Sequence, residues 1–132
     1  MKRLLFVCVE NSCRSQIAEA FARIHGKGKL EIYSAGSRPS GKVNPMGIES
    51  MKEVGYDLTR HESKSLAEIP AVEYDIVVTM GCGDECPYVR AKQREDWKIQ
   101  DPKNLPPEQF RNIRDEIEKR VKDVLSRIEG AL

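Results

Sequence analysis

The chain has almost no excess of charge of either sign, its formal net charge being +1. Its 22 Lys and Arg stand against 21 Asp and Glu over 132 residues. The two signs are interspersed, so there is no basic face for nucleic acid and no polybasic patch for an anionic membrane. Any anion site has to be built locally. No stretch approaches the roughly 18 consecutive apolar residues that a membrane span needs. The apolar N-terminal stretch Leu4–Cys8 runs straight into Glu10-Asn11-Ser12-Cys13-Arg14 without a small-residue cleavage pattern, and so reads as a buried strand instead of a secretory signal. Internal repeats, low-complexity tracts and interdomain linkers are also missing. The expectation is one soluble domain over residues 1–132, cytoplasmic and monomeric.

What is present alternates in period. Arg3–Cys8 is an apolar run of strand length, and Ser15–Ile24 then places Ile17, Ala18, Phe21 and Ile24 at helical spacing. Leu30–Ser34 alternates as a second strand before the turn-rich segment 36–41. Asn44-Pro45 is a cap followed by proline at the first helical position, predicting a helix through Met46, Ile48, Met51 and Val54 that stops at Gly55. Ser65–Ile69 reads as a helical turn or two, Tyr74–Met80 as a third strand and Trp97–Ile99 as a short fourth. From Pro106 or Pro107 to Gly130, Phe110, Ile113, Ile117, Val121, Val124, Leu125 and Ile128 recur every three or four residues, which predicts a long amphipathic helix.

Strands alternating with helices imply parallel βαβ units. The predicted class is therefore α/β: a three-layer sandwich with a four-stranded parallel sheet and helices on both faces. Ligands in such folds bind beyond the carboxyl ends of the strands. Cys8, Cys82 and Asp101 all follow predicted strand ends and could converge there.

The chemistry is concentrated in Cys8-Val9-Glu10-Asn11-Ser12-Cys13-Arg14-Ser15. A thiol five residues before an arginine, between a buried strand and a helix, suits a loop that curls its backbone N–H groups round one oxyanion. The helix N-terminus adds positive potential and Arg14 a bidentate clamp, and the same field favours the thiolate of Cys8. A buried cysteine, a surface arginine and an ordinary capping serine would be the bland alternative, but the spacing and the strand-to-helix setting favour the functional reading. Cys13 has no role of its own in this pattern. Cys82 and Cys86 lie four residues apart beside Gly81 and Gly83. Redox use ranks ahead of two inert thiols, and half a zinc site comes last, because zinc would want four soft ligands together. His25 and His61 are isolated and read as ordinary histidines. Asp101-Pro102 is in the first instance a turn opener.

Phe6–Ala20 resembles the nucleophile loop and first helix of the low-molecular-weight tyrosine phosphatases and of their relatives, the arsenate reductases. Ser15-Gln16 leans toward the reductases, and Tyr33–Gly36 is similar to the family's second strand. Thr79–Pro87 resembles the redox segment of an arsenate reductase branch, and Trp97 to Asp101-Pro102 the segment that holds the family's general acid. The resemblance spans nearly the whole chain. It implies that Cys8 attacks the oxyanion, that Arg14 and the backbone of Val9–Ser15 bind it, that Asn11 and Ser15 brace the loop, and that Asp101 protonates the departing oxygen. A Cys8–Cys82 disulfide is then passed on to Cys86 and from there to an external thiol reductant, with thioredoxin the first choice, and no cofactor is tightly bound. Glu10 stands where the family usually has glycine, so its carboxylate is expected to point away from the anion. Lys103-Asn104 follows Asp101-Pro102 where the phosphatases usually have two tyrosines. Asn11, Glu19 and Ser34 match positions that bind potassium in some relatives, and Lys64 falls near the position of a further acidic ligand, so that an internal ammonium could replace the ion. The competing functions are a phosphotyrosine phosphatase with incidental Cys82 and Cys86, and a non-catalytic oxyanion or redox sensor.

Overall fold

The computed structural model describes residues 1–26, 28–81 and 89–130. The chain runs through strand β1 (Lys2–Cys8), helix α1 (Arg14–Gly26), strand β2 (Leu30–Gly36), helix α2 (Pro45–Lys52), short 3-10 turns at Leu58–Arg60 and Leu66–Glu68, strands β3 (Tyr74–Thr79) and β4 (Ala91–Asp96), and helix α3 (Pro107–Gly130). The sheet order is β2-β1-β3-β4, and every pairing is parallel. All carboxyl ends therefore lie along one edge. β1 is central, so Cys8 at its end sits in the middle of that edge.

Because side chains alternate across a strand, β1 feeds two cores. Leu4 and Phe6 pack with Ile17 and Phe21 of α1 and with Phe110, Ile117, Val121 and Val124 of α3. Leu5 and Val7 pack on the opposite face with Ala35, Ile69, Tyr74 and Val77. Among the described residues that second helical layer is thin, consisting of the turn at Leu66–Glu68 and its flanking chain. Each fully buried Leu, Ile or Phe contributes about 1.5–3 kcal/mol, so most of the apolar stabilisation lies on the α1/α3 face.

The fourth strand departs from expectation. It is Ala91–Asp96, not Trp97–Ile99. As an edge strand paired only with β3 it exposes Lys92, Gln93 and Arg94, so no apolar run marks it. The Trp97 N–H still donates to the Thr79 carbonyl at 2.8 Å, after which Trp97 and Ile99 turn into the main core. α2 begins as predicted: the Asn44 side chain accepts from Met46 N, and Pro45 opens the first turn. It ends three residues early, the chain turning at Gly55, whose φ is +84°. Arg114, buried on α3, ties the two helices by donating to the Ser50 carbonyl and to Glu53 Oε1, both at 2.8 Å.

Candidate active site

From Val9 to Cys13 every backbone carbonyl of the loop is held from outside. Val9 O accepts from Arg38 N at 2.9 Å, Ser12 O from Asn44 N at 2.8 Å and Cys13 O from Ile17 N at 2.9 Å. Glu10 O accepts from Ser40 N at 3.0 Å and from Ser63 Oγ at 2.9 Å. Asn11 O accepts from Gln16 Nε2 at 3.0 Å. In a trans peptide the carbonyl and the next N–H point in opposite directions, and the described chain has no cis bonds. Drawing those five carbonyls outward turns the N–H groups of Glu10, Asn11, Ser12, Cys13 and Arg14 to the other side, as a cradle for an anion at the N-terminus of α1.

Two residues allow the loop to close this tightly. Asn11 has φ +48°, a left-handed conformation that asparagine tolerates better than most side chains. It is fully buried and its amide is fully used: Nδ2 donates to Ser15 Oγ at 2.8 Å and to Ser34 Oγ at 3.1 Å, while Oδ1 accepts from Gln16 Nε2 and Lys64 N. Gly36 lies under the loop, where a Cβ would come within 2.5 Å of the Val9 carbonyl and 2.9 Å of Asn11 N.

Cys8 Sγ lies 2.8 Å from Ser15 Oγ. Since Asn11 donates to that oxygen, the serine hydrogen is free to point at the sulfur, the arrangement that stabilises a thiolate. Arg14 is nearly buried; its Nη1 donates to the Ile99 carbonyl at 2.9 Å, and its Nη2 lies 3.7 Å from Asp101 Oδ2. Gly81, φ +78°, passes directly over the guanidinium, where any Cβ would collide with Nη1. Burial, and the nearby Asp101 and Cys8, push the Cys13 thiol well above the usual range, so it stays protonated. The Glu10 side chain points outward to Lys103, its Oε2 3.5 Å from the ammonium.

The structure thus brings Cys8, Asn11, Arg14, Ser15 and Asp101 together. Cys82 and Cys86 lie outside the described residues. The loop-supporting roles of Gln16, Ser63, Lys64, Gly36 and Gly81 were not found from the sequence, and His61 is not isolated. Its Nδ1 lies 2.9 Å from Gln16 Oε1 and its Nε2 2.6 Å from the Tyr56 hydroxyl. No sequence signal marks these links: Gln16 is 45 residues from His61, and the five-residue step from Tyr56 to His61 carries no motif of its own.

The oxygens of Asn11, Glu19 and Ser34 do not form a set that suits a potassium ion. Asn11 Oδ1 is already taken. The buried Glu19 carboxylate accepts from Ser34 Oγ and from Arg23 Nε, and Lys64 Nζ stands 3.9 Å away. Protein cations already balance its charge.

The family model for "low molecular weight phosphotyrosine protein phosphatase" matches residues 3–131. The glutaredoxin arsenate reductase of Synechocystis sp. is 39% identical, the match covering 97% of this chain and 99% of that protein. Arsenate reductase 1 of Staphylococcus epidermidis is 37% identical over 96% and 98%. Among solved structures, an arsenate reductase in the phosphate-binding state superposes with a TM-score of 0.88 at 39% identity, covering 97% of this chain and 99% of that one. The thioredoxin-dependent arsenate reductase of Corynebacterium glutamicum gives 0.81 at 30%, covering all of this chain and 64% of that one. Both the nucleophile loop and the whole-chain likeness therefore lead to one assignment: the chain belongs to the low molecular weight phosphotyrosine protein phosphatase family and, within it, to the arsenate reductases.

Proposed function

We propose that this chain reduces arsenate to arsenite, with Cys8 as nucleophile and Cys82 and Cys86 as the relay. The observation that carries the reading is the cradle of N–H groups around Cys8, with Arg14 beside it and Asp101 Oδ2 3.7 Å from Arg14 Nη2. The Cys8 thiolate attacks arsenic, Asp101 donates a proton, and the displaced oxygen leaves as water. Cys82 then attacks Cys8 Sγ; the electron pair of the S–As bond passes to arsenic, which departs as arsenite, and a Cys8–Cys82 disulfide remains. Cys86 attacks Cys82, frees Cys8, and leaves a Cys82–Cys86 disulfide for an external dithiol to reduce. Arsenate and phosphate share charge and shape, so Cys8, Arg14 and Asp101 also support residual phosphatase activity.

The enzyme works as a cytoplasmic monomer with no tightly bound cofactor. Thioredoxin is the first donor to try. Glutaredoxin is the second, because it stands in the name of the Synechocystis relative. The test counts arsenite per enzyme with each donor in turn and measures aryl phosphate turnover on the same preparation. Multiple turnovers with one dithiol donor are expected. Aryl phosphate turnover with no arsenite from any donor would make the chain a phosphatase, and oxyanion binding with neither activity would make it a sensor. Potassium is not required: replacing it with sodium should leave arsenate reduction unchanged, and strict potassium dependence would refute the place given to Lys64 and Arg23.

A further inference from the structure

Asp101 lies beside Arg14 of the anion loop, and the chain that follows it returns to that loop. Asp101 Oδ2 is 3.7 Å from Arg14 Nη2, and its Oδ1 accepts from Lys103 N at 3.0 Å. Lys103 Nζ in turn reaches Glu10 Oε2 at 3.5 Å. Glu10 is itself pinned through its carbonyl by Ser40 and Ser63. The sequence of contacts Arg14, Asp101, Lys103, Glu10 therefore starts and finishes on the same loop.

We propose that Glu10 and Lys103 are a specificity-determining pair, which lets a bare inorganic oxyanion into the loop and disfavours an aryl ester. The proposal rests on the oxyanion reading of the loop and extends it to substrate choice. In an ester the oxygen that Asp101 must protonate is the one that bears the organic group. An aromatic ring on that oxygen therefore emerges at Asp101, alongside the point where Lys103 meets Glu10. The ring has either to lie on a charged pair and strip its water or to push the pair apart, and both cost binding. Arsenate carries only hydroxyl or oxide there and meets no such cost. The pair is about half exposed, with side-chain exposures of 53% for Lys103 and 41% for Glu10, so the effect is modest, about fivefold in selectivity.

The two charges also cancel, which gives the test its controls. Glu10→Gln frees the ammonium and should tighten any anion; Lys103→Met leaves a bare carboxylate and should weaken any anion. The double variant removes the pair with no change of net charge. The measurements are kcat/KM for para-nitrophenyl phosphate and the inhibition constant of arsenate against that turnover. Neither requires a reductant, so the result stands apart from whether arsenite is made. The double variant is expected to shift the ratio of aryl phosphate efficiency to arsenate affinity about fivefold toward the aryl ester. The single variants should move arsenate affinity in opposite directions, and Lys103→Arg should keep the native ratio. High salt, which screens exposed pairs, should move the ratio of the native protein the same way and leave that of the double variant in place. An unmoved ratio in the double variant, or single variants that shift arsenate affinity in the same direction, would overturn the proposal.

Discussion

Ser15 Oγ sits 2.8 Å from Cys8 Sγ and 2.8 Å from Asn11 Nδ2, so the buried amide decides which way the serine hydroxyl is turned. Ser15→Ala removes the side-chain hydroxyl that lies against the sulfur while leaving the cradle of backbone N–H groups intact. A hydrogen bond to a charged group is worth about 1.5–3 kcal/mol, so the attack by Cys8 should slow about 10- to 150-fold. Arsenate inhibition of aryl phosphate turnover should change little. Pre-steady-state turnover of para-nitrophenyl phosphate, set beside that inhibition constant, reads both. A large loss of arsenate affinity at an unchanged rate would give Ser15 a structural role only.

Asp101 reaches the site through Arg14 without being buried, its side chain 45% exposed. Asp101→Asn keeps the shape and removes the transferable proton. Turnover should fall on the order of 10²–10⁴-fold, the usual worth of a general acid, with oxyanion affinity nearly retained. Rapid-quench measurement of the bound-state rate checks this. A loss confined to binding would make Asp101 a positioning group for Arg14.

Cys86→Ser separates reductase from phosphatase chemistry. One arsenite should be released per enzyme, after which Cys8 is held in a disulfide with Cys82. Aryl phosphate turnover should then be lost after exposure to arsenate and return with a small dithiol. Non-reducing peptide mapping shows the linkage. Sustained turnover with thioredoxin and no Cys8–Cys82 peptide would favour direct attack by an external thiol on the Cys8 adduct.

His61 connects acid stability to the site. Burial holds its pKa below the ordinary 6.5, and the neighbouring Glu19 only partly opposes this. A histidine depressed in the fold binds its proton more readily when unfolded. Its contribution is therefore complete above about pH 6.5 and is lost as the pH falls from there toward the folded value. Denaturant midpoints measured from pH 7.5 down to 5 should fall in the native protein and fall less in His61→Gln. Parallel curves would show that other groups control the acid limb.

Much of this was legible in the sequence for a simple reason. The nucleophile loop is local: strand, thiol, arginine and helix lie within about 15 consecutive residues, and the alternation of apolar periods fixes the parallel βαβ arrangement around it. β4 was misplaced because an edge strand has no buried face to impose a pattern, and the apolar Trp97 and Ile99 after it imitated one.

The sequence by itself determined the class of fold, the nucleophile with its arginine, and the outward turn of Glu10, since a carboxylate beside a dianion is costly wherever the chain goes. Only the tertiary structure decided what orients them. Arg38, Ser40, Asn44, Ser63 and Lys64 are 29 or more residues from the loop groups they hold, and Asp101 is 87 residues from Arg14. Hydrogen bonds of that kind form after the sheet has brought distant segments to one edge, and their short polar partners are the residues most often found in ordinary turns. Nothing in a linear pattern distinguishes the two uses until the chain has folded.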